Sequence, residues 1–211
     1  AWQSLSNTGP DGKRILIAAK LPALHRAALA SCDAVDGLKD GQIDDPRACR
    51  FNPADAQCQP AQAVSNDCLT AAEVEVARRF YQGAVGEGGE RYVAGGPQVG
   101  SELSWAGVYV SRGVDDNIMS TGASRGTLQF LAFEDNPAPG YTLQDLKFDR
   151  ATFARLRPLA PLYNSTDTDL SAFEKRGGRL IIWHGWSDPH ISPINTIAYH
   201  EAVEATLGKE R

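Results

Sequence analysis

The sequence predicts an α/β protein in which a large, loop-rich, mostly helical part precedes a short strand–helix unit, and three observations carry that expectation. Residues 170–208 read helix, strand, loop, helix, the pattern of a parallel-sheet unit. A helix beginning at residue 70 is signposted at both ends. From 83 to about 125 the text is glycine-rich and aperiodic (GAVGEGGERYVAGGPQVGSELSW), which predicts loops and short strands. The chain has 211 residues, 42% of them hydrophobic, enough for one sizeable core.

The elements follow in chain order. KRILIAAKLPALHRAALAS (13–31) is apolar and alanine-rich with an interruption at Pro22, so a short apolar segment is expected, then a helix from about 22 to 31. CDAVDGLKDGQIDDP (32–46) gathers five acidic residues and two glycines in fifteen positions. The next helix has Thr70 as N-cap, Glu73 completing a capping box, Leu69 and Val74 as a hydrophobic staple, and Gly83 past its end. TLQFLAF (127–133) predicts a further helix. LSAFEKR (170–176) predicts a helix stopped by Gly177 and Gly178, RLIIWHG (179–185) a buried strand, and PINTIAYHEAVEATLG (193–208) a helix started at Pro193. No internal repeat or low-complexity tract is present.

Charge excludes some function classes. Lys+Arg of 21 against Asp+Glu of 26 gives a formal charge of −5, and the cations are scattered, so no nucleic-acid footprint is present. No run of 18 apolar residues spans a bilayer, and no membrane partner is expected. The start, AWQSLSNTGPDGKR, lacks a signal-peptide pattern and reads as the middle of a longer chain.

The four cysteines stand at 32, 49, 58 and 68, without the CxxC spacing a tetrahedral zinc site prefers. Disulfides fit better. Sequential pairing would staple two short loops, and a closed loop of about 15 residues is worth roughly 3 kcal/mol by the chain-entropy estimate. The expected compartment is oxidising, either secreted or periplasmic. In the acidic loop between the first two cysteines, Asp33, Asp36 and Asp40, with tight turns at Gly37 and Gly41, suit one hard cation whose shell is filled by backbone carbonyls. The spacing departs from the EF-hand loop, which is rejected.

Two motifs, CDAVDGLKDGQIDDPRAC and DLSAFEKRGGRLIIWHGWSDPHISP, together with the distance between them, resemble the tannase and feruloyl esterase family of secreted α/β-hydrolases over about residues 15–207. The resemblance implies an α/β-hydrolase fragment: a lid domain over 1–168 and a C-terminal strand–helix piece of the core over 169–211. It implies a structural calcium (Ca2+) held by the carboxylates of Asp33, Asp36 and Asp40 and the carbonyls of Leu38 and Gln42. It also implies the lid disulfides Cys32–Cys49 and Cys58–Cys68. Asp188 of WHGWSDP would be the acid of a Ser-His-Asp triad, a placement that agrees with functional groups gathering past the carboxyl ends of parallel strands. The implied partners are a small aromatic ester, feruloyl, galloyl or similar, and the rest of the hydrolase core. The family's cysteine-serine nucleophile elbow and its histidine-cysteine pair are expected before residue 1 and after residue 211. The alternative is a calcium-stabilised extracellular cap with no catalysis of its own.

GASRG (122–126) fits the nucleophile-elbow pattern, with Ser124 at its centre. An elbow needs a buried strand immediately before the serine, and VDDNIMST (114–121) is too polar to be one, so Ser124 is not expected to act. His190 is too near Asp188 in sequence, and His200 falls mid-helix. His184 is expected to support the acid loop by hydrogen bonding, and His25 to lie at a surface or an interface. Trp105, Tyr109 and Trp186 are candidates for an aromatic pocket, though packing is the simpler role. Asn164-Ser165-Thr166 matches the glycosylation pattern.

Overall fold

The computed structural model describes residues 1–113 and 118–209. Among the described residues eight helices follow in order: α1 Trp2–Ser6, α2 Leu21–Cys32, α3 Ala71–Gln82, α4 Met119–Phe130, α5 Arg150–Leu156, α6 Ala160–Tyr163, α7 Ser171–Lys175 and α8 Pro193–Leu207. Short 3₁₀ turns punctuate the loops, notably at Pro53–Ala56 and Glu102–Trp105.

The core forms where α2 and α3 close on those two turns. Leu16, Leu24, Leu69, Phe80 and Trp105 are each fully buried there. Phe80 and Tyr81 pack edge-on to Trp105 at ring-centroid distances of 5.5 and 5.3 Å, the geometry that sets positive ring edges against negative faces. Trp105 is therefore a packing residue. A smaller cluster of Leu128, Phe133 and Leu143 lies where α1 and α4 meet the loop after α4.

The signals around α3 correspond to its structure. Thr70 Oγ1 accepts from the Glu73 N–H at 3.3 Å while Glu73 accepts from the Thr70 N–H at 2.7 Å, a complete capping box. Leu69 and Val74 are both buried in the main core, and Gly83 ends the helix with φ +74°. The loop beyond comes back onto the helix terminus so closely that a Cβ on Gly96 would stand 1.8 Å from the Phe80 carbonyl oxygen, which only glycine permits. Helix α2 starts at Leu21 and keeps Pro22 in its first turn, where a missing N–H costs no hydrogen bond.

Two expectations need correction. The helix expected at 127–133 starts at Met119 and ends at Phe130, because no side chain caps its start and Gly122 and Gly126 disguise its body. Tertiary contacts hold it instead, with buried Leu128 beneath and Ser4 Oγ bonded to Thr121 Oγ1 at 2.9 Å. The strand expected at 179–185 has no ladder: among the described residues only isolated bridges occur, such as Ile17 with Ser111 and Gln57 with Leu69. Ile181 and Trp183 are left 87% and 86% exposed. A strand of a parallel sheet is normally covered on both faces. The described part of the chain offers this one nothing to pair with, so the α/β class is not visible here as a sheet. No helix is long and apolar enough to cross a membrane among the described residues.

Candidate functional site

The acidic loop is closed by the disulfide Cys32–Cys49, and a second disulfide, Cys58–Cys68, closes the separate loop that leads to α3. Among the described residues no cysteine is free. Asp33, at the end of α2, is buried, and its Oδ1 accepts from the N–H groups of Asp40 and Gly41 at 3.1 and 2.9 Å. The loop therefore wraps around that carboxylate. Asp36 and Asp40 each fold a local turn, accepting from Leu38 N–H at 2.8 Å and Gln42 N–H at 3.1 Å. Gly37 and Gly41 supply the positive φ that these turns need, +95° and +83°.

The donor set is carboxylate and carbonyl oxygen throughout, as a hard cation requires. The carbonyls of Leu38 and Gln42 accept no hydrogen bond from the described residues, so they are available to a cation. The three carboxylates are not drawn into one cluster: no group of three acidic or histidine ligands converges among the described residues.

Asp188 sits in a tight turn following the extended segment, with its N–H bonded to the Gly185 carbonyl at 3.1 Å. Its Oδ1 accepts from the N–H groups of His190 and Ile191 at 2.7 and 3.2 Å, and its Oδ2 meets His184 Nε2 at 3.0 Å. The other nitrogen of His184 is tied to Thr196 Oγ1 at 2.6 Å, so α8 braces the ring that braces the acid. His184 thus supports the acid loop by hydrogen bonding. Burial pushes the Asp188 carboxyl up, but the two N–H donors and the His184 ring outweigh it and hold the group below the usual carboxylate range. Asp188 is ionised at neutral pH. With about four lone-pair sites, a carboxylate can accept one further imidazole N–H.

A cleft of about 570 Å³ opens beside this turn, lined by Tyr109, Leu128, Phe148, His190, Ile191 and Ser192 among others. Tyr109 is buried, and its phenol is pushed up by burial and by the charge of Asp188, so it stays protonated as a hydrogen-bond donor. Trp186 borders a second cleft of about 440 Å³, shared with Ile43 of the acidic loop and with His25 and Leu103.

His25 is not a plain surface residue. Its Nδ1 meets Oε2 of fully buried Glu102 at 2.7 Å, while Oε1 accepts from Tyr81 OH at 2.6 Å and Gly100 N–H at 2.7 Å. Sequence reasoning missed this network, whose members lie up to 77 residues apart. Ser124 lies mid-α4, which is not an elbow geometry. Residues 114–117, the polar approach to Ser124, lie outside the described residues. His200 is on α8, Asn164 is exposed after α6, and His190 Nδ1 is 3.8 Å from Asp188 Oδ1.

The chain superimposes on feruloyl esterase B from Aspergillus oryzae with a TM-score of 0.77 at 26% identity, covering 98% of this chain and 40% of that one. It is 35% identical over 201 residues to an uncharacterized esterase of Xanthomonas campestris, and 28% identical over 222 residues to the mono(2-hydroxyethyl) terephthalate hydrolase of Piscinibacter sakaiensis. These alignments take in 89% and 90% of this chain but 34% and 37% of the relatives, so the chain spans about a third of their length. The chain belongs to the tannase and feruloyl esterase family, whose profile matches residues 1–211.

Proposed function

We propose that this chain is the lid, residues 1–168, and the acid-bearing piece, residues 169–211, of a secreted or periplasmic carboxylic ester hydrolase acting on aromatic esters. In this reading a serine outside the chain attacks the ester carbonyl, forms an acyl-enzyme and is released by water. Asp188 supplies the triad acid. It holds the histidine, also outside the chain, in the tautomer that takes the serine proton, and it stabilises the imidazolium that forms. The observation that carries the reading is the Asp188 carboxylate itself, ionised and fixed by three donors at the tip of an extended apolar segment. Catalytic groups of parallel α/β sheets stand at such tips. The exposed face of Ile181 and Trp183 supports the rest of the hydrolase core as the partner, since burying each side chain is worth about 1.5–3 kcal/mol.

Asp188→Asn in the full-length protein tests the reading. Turnover of a feruloyl or galloyl ester is expected to fall about 10⁴-fold, as wrong-tautomer variants of such triads do. Ser124→Ala is expected to leave turnover unchanged. Wild-type turnover in Asp188→Asn would remove the assignment.

Within the same reading, Asp33, Asp36 and Asp40 with the carbonyls of Leu38 and Gln42 would hold a calcium ion, once the carboxylates that stand apart in this structure are drawn onto it. Bound there, the ion supplies structural cross-linking and no reaction step. Its residues fix the disulfide-closed loop beside the acid turn. Chelator is expected to lower the melting temperature, and added calcium to restore it: saturation at a hundred times the dissociation constant stabilises by about 2.7 kcal/mol. An unchanged melting curve would dismiss the site.

A further inference from the structure

The acidic loop meets the acid turn through one side chain. Arg47, two residues before Cys49, places its guanidinium 5.5 Å from the centre of the Trp186 ring, within cation–π range. Its orientation is fixed from inside the loop: Nε and Nη2 donate to Oδ1 and Oδ2 of Asp45, each at 2.8 Å, and its own N–H donates to Oδ1 at 3.0 Å. A planar fork on a carboxylate holds direction as well as charge, which an ammonium does not. The charge of Glu201 on α8 acts on the same guanidinium. The pair is half-exposed, so its worth in folding energy is small and its effect is directional.

Trp186 stands inside the turn that Asp188 closes, since the Asp188 N–H bonds to the Gly185 carbonyl at 3.1 Å. The cation–π contact therefore bears on a residue of the turn itself. The loop on the other side of the contact is tethered at both ends by Cys32–Cys49. We propose that Arg47 is a positioning residue for Asp188, joining the disulfide-closed acidic loop to the acid turn through Trp186. The proposal rests on Asp188 being the triad acid.

In the full-length protein, Arg47→Ala is expected to lower kcat on an aromatic ester about tenfold with little change in KM, since small misplacements of catalytic groups cost rate rather than binding. Arg47→Lys, which keeps the charge and loses the fork, is expected to recover part of that loss and serves also if the alanine variant fails to fold. Combining Arg47→Ala with Trp186→Ala is expected to give less than the product of the two separate losses, because both remove one contact. An Arg47→Ala protein with wild-type kcat, or losses that simply multiply, would overturn the proposal while an inactive Asp188→Asn left the triad reading intact. An active Asp188→Asn would remove both.

Discussion

Helix α3 and the segment 179–185 are both apolar enough to be buried, and only one of them is. Around α3 everything needed for burial lies within the preceding and following hundred residues: α2, the two 3₁₀ turns, and the glycine loop that returns to Phe80. The segment 179–185 has α8 along one side, through Thr196 and His184, and water on the other. An amphipathic helix can complete itself against one neighbour, whereas a strand of a parallel sheet needs hydrogen-bonding partners in its own plane and cover on both faces. The contrast separates a part of this chain that its own residues cover from a part that, under the proposed function, is one side of an interface.

Substitutions separate the two regions most sharply where the side chains are alike. Trp105 and Trp183 are both indoles, one fully buried and the other 86% exposed. Trp105→Ala is expected to destabilise residues 1–211 by about 3–5 kcal/mol, read as a lowered denaturation midpoint. Trp183→Ala in the same chain is expected to change stability by no more than about 0.5 kcal/mol, as surface substitutions do. In the full-length protein the Trp183 change is expected to rise toward the Trp105 value. Equal effects of Trp183→Ala in the two proteins would deny the interface.

Opening Cys32–Cys49 is the next test. Replacing both cysteines with serine is expected to remove about 3 kcal/mol of stability, read by thermal melting, through greater freedom of the unfolded chain. Asp188 and its donors lie outside that loop, so the environment of the extended segment is expected to stay as exposed as before. A loss of less than about 1 kcal/mol would show that the acidic loop holds itself closed through its own turns.

The sequence was readable wherever a feature depends on residues close together in the chain. Thr70 and Glu73 form their capping box, the cysteines pair with their sequence neighbours, and Gly37, Gly41 and Gly83 take the positive φ that turns require. Asp149 capping α5 through the Thr152 N–H at 2.7 Å was equally local and open to being found. What stayed hidden joins distant residues. His25 finds Glu102 across 77 positions, and buried Lys20 donates to the carbonyls of Ser65 and Cys68 at 2.6 and 2.9 Å while facing Glu73 at 3.4 Å. No periodicity announces such pairs, because each depends on a chain path that only the whole core defines. Helix α4 was misplaced for the opposite reason: its local sequence argues against a helix and its neighbours override it.

At the candidate site the same division holds. Asp188 and its His184 brace lie four residues apart and were anticipated together. The contact of Arg47 with Trp186 crosses most of the chain and was not.

Amide hydrogen exchange, run side by side on residues 1–211 and on the full-length protein, tests most directly whether the terminal segment is an interface strand. Amides of 71–82 are expected to be protected in both. Amides of 179–185 are expected to exchange freely in the short chain and to be protected in the full-length protein, by the margin that separates loops from core strands. Free exchange of 179–185 in both proteins, or protection in both, would contradict the account.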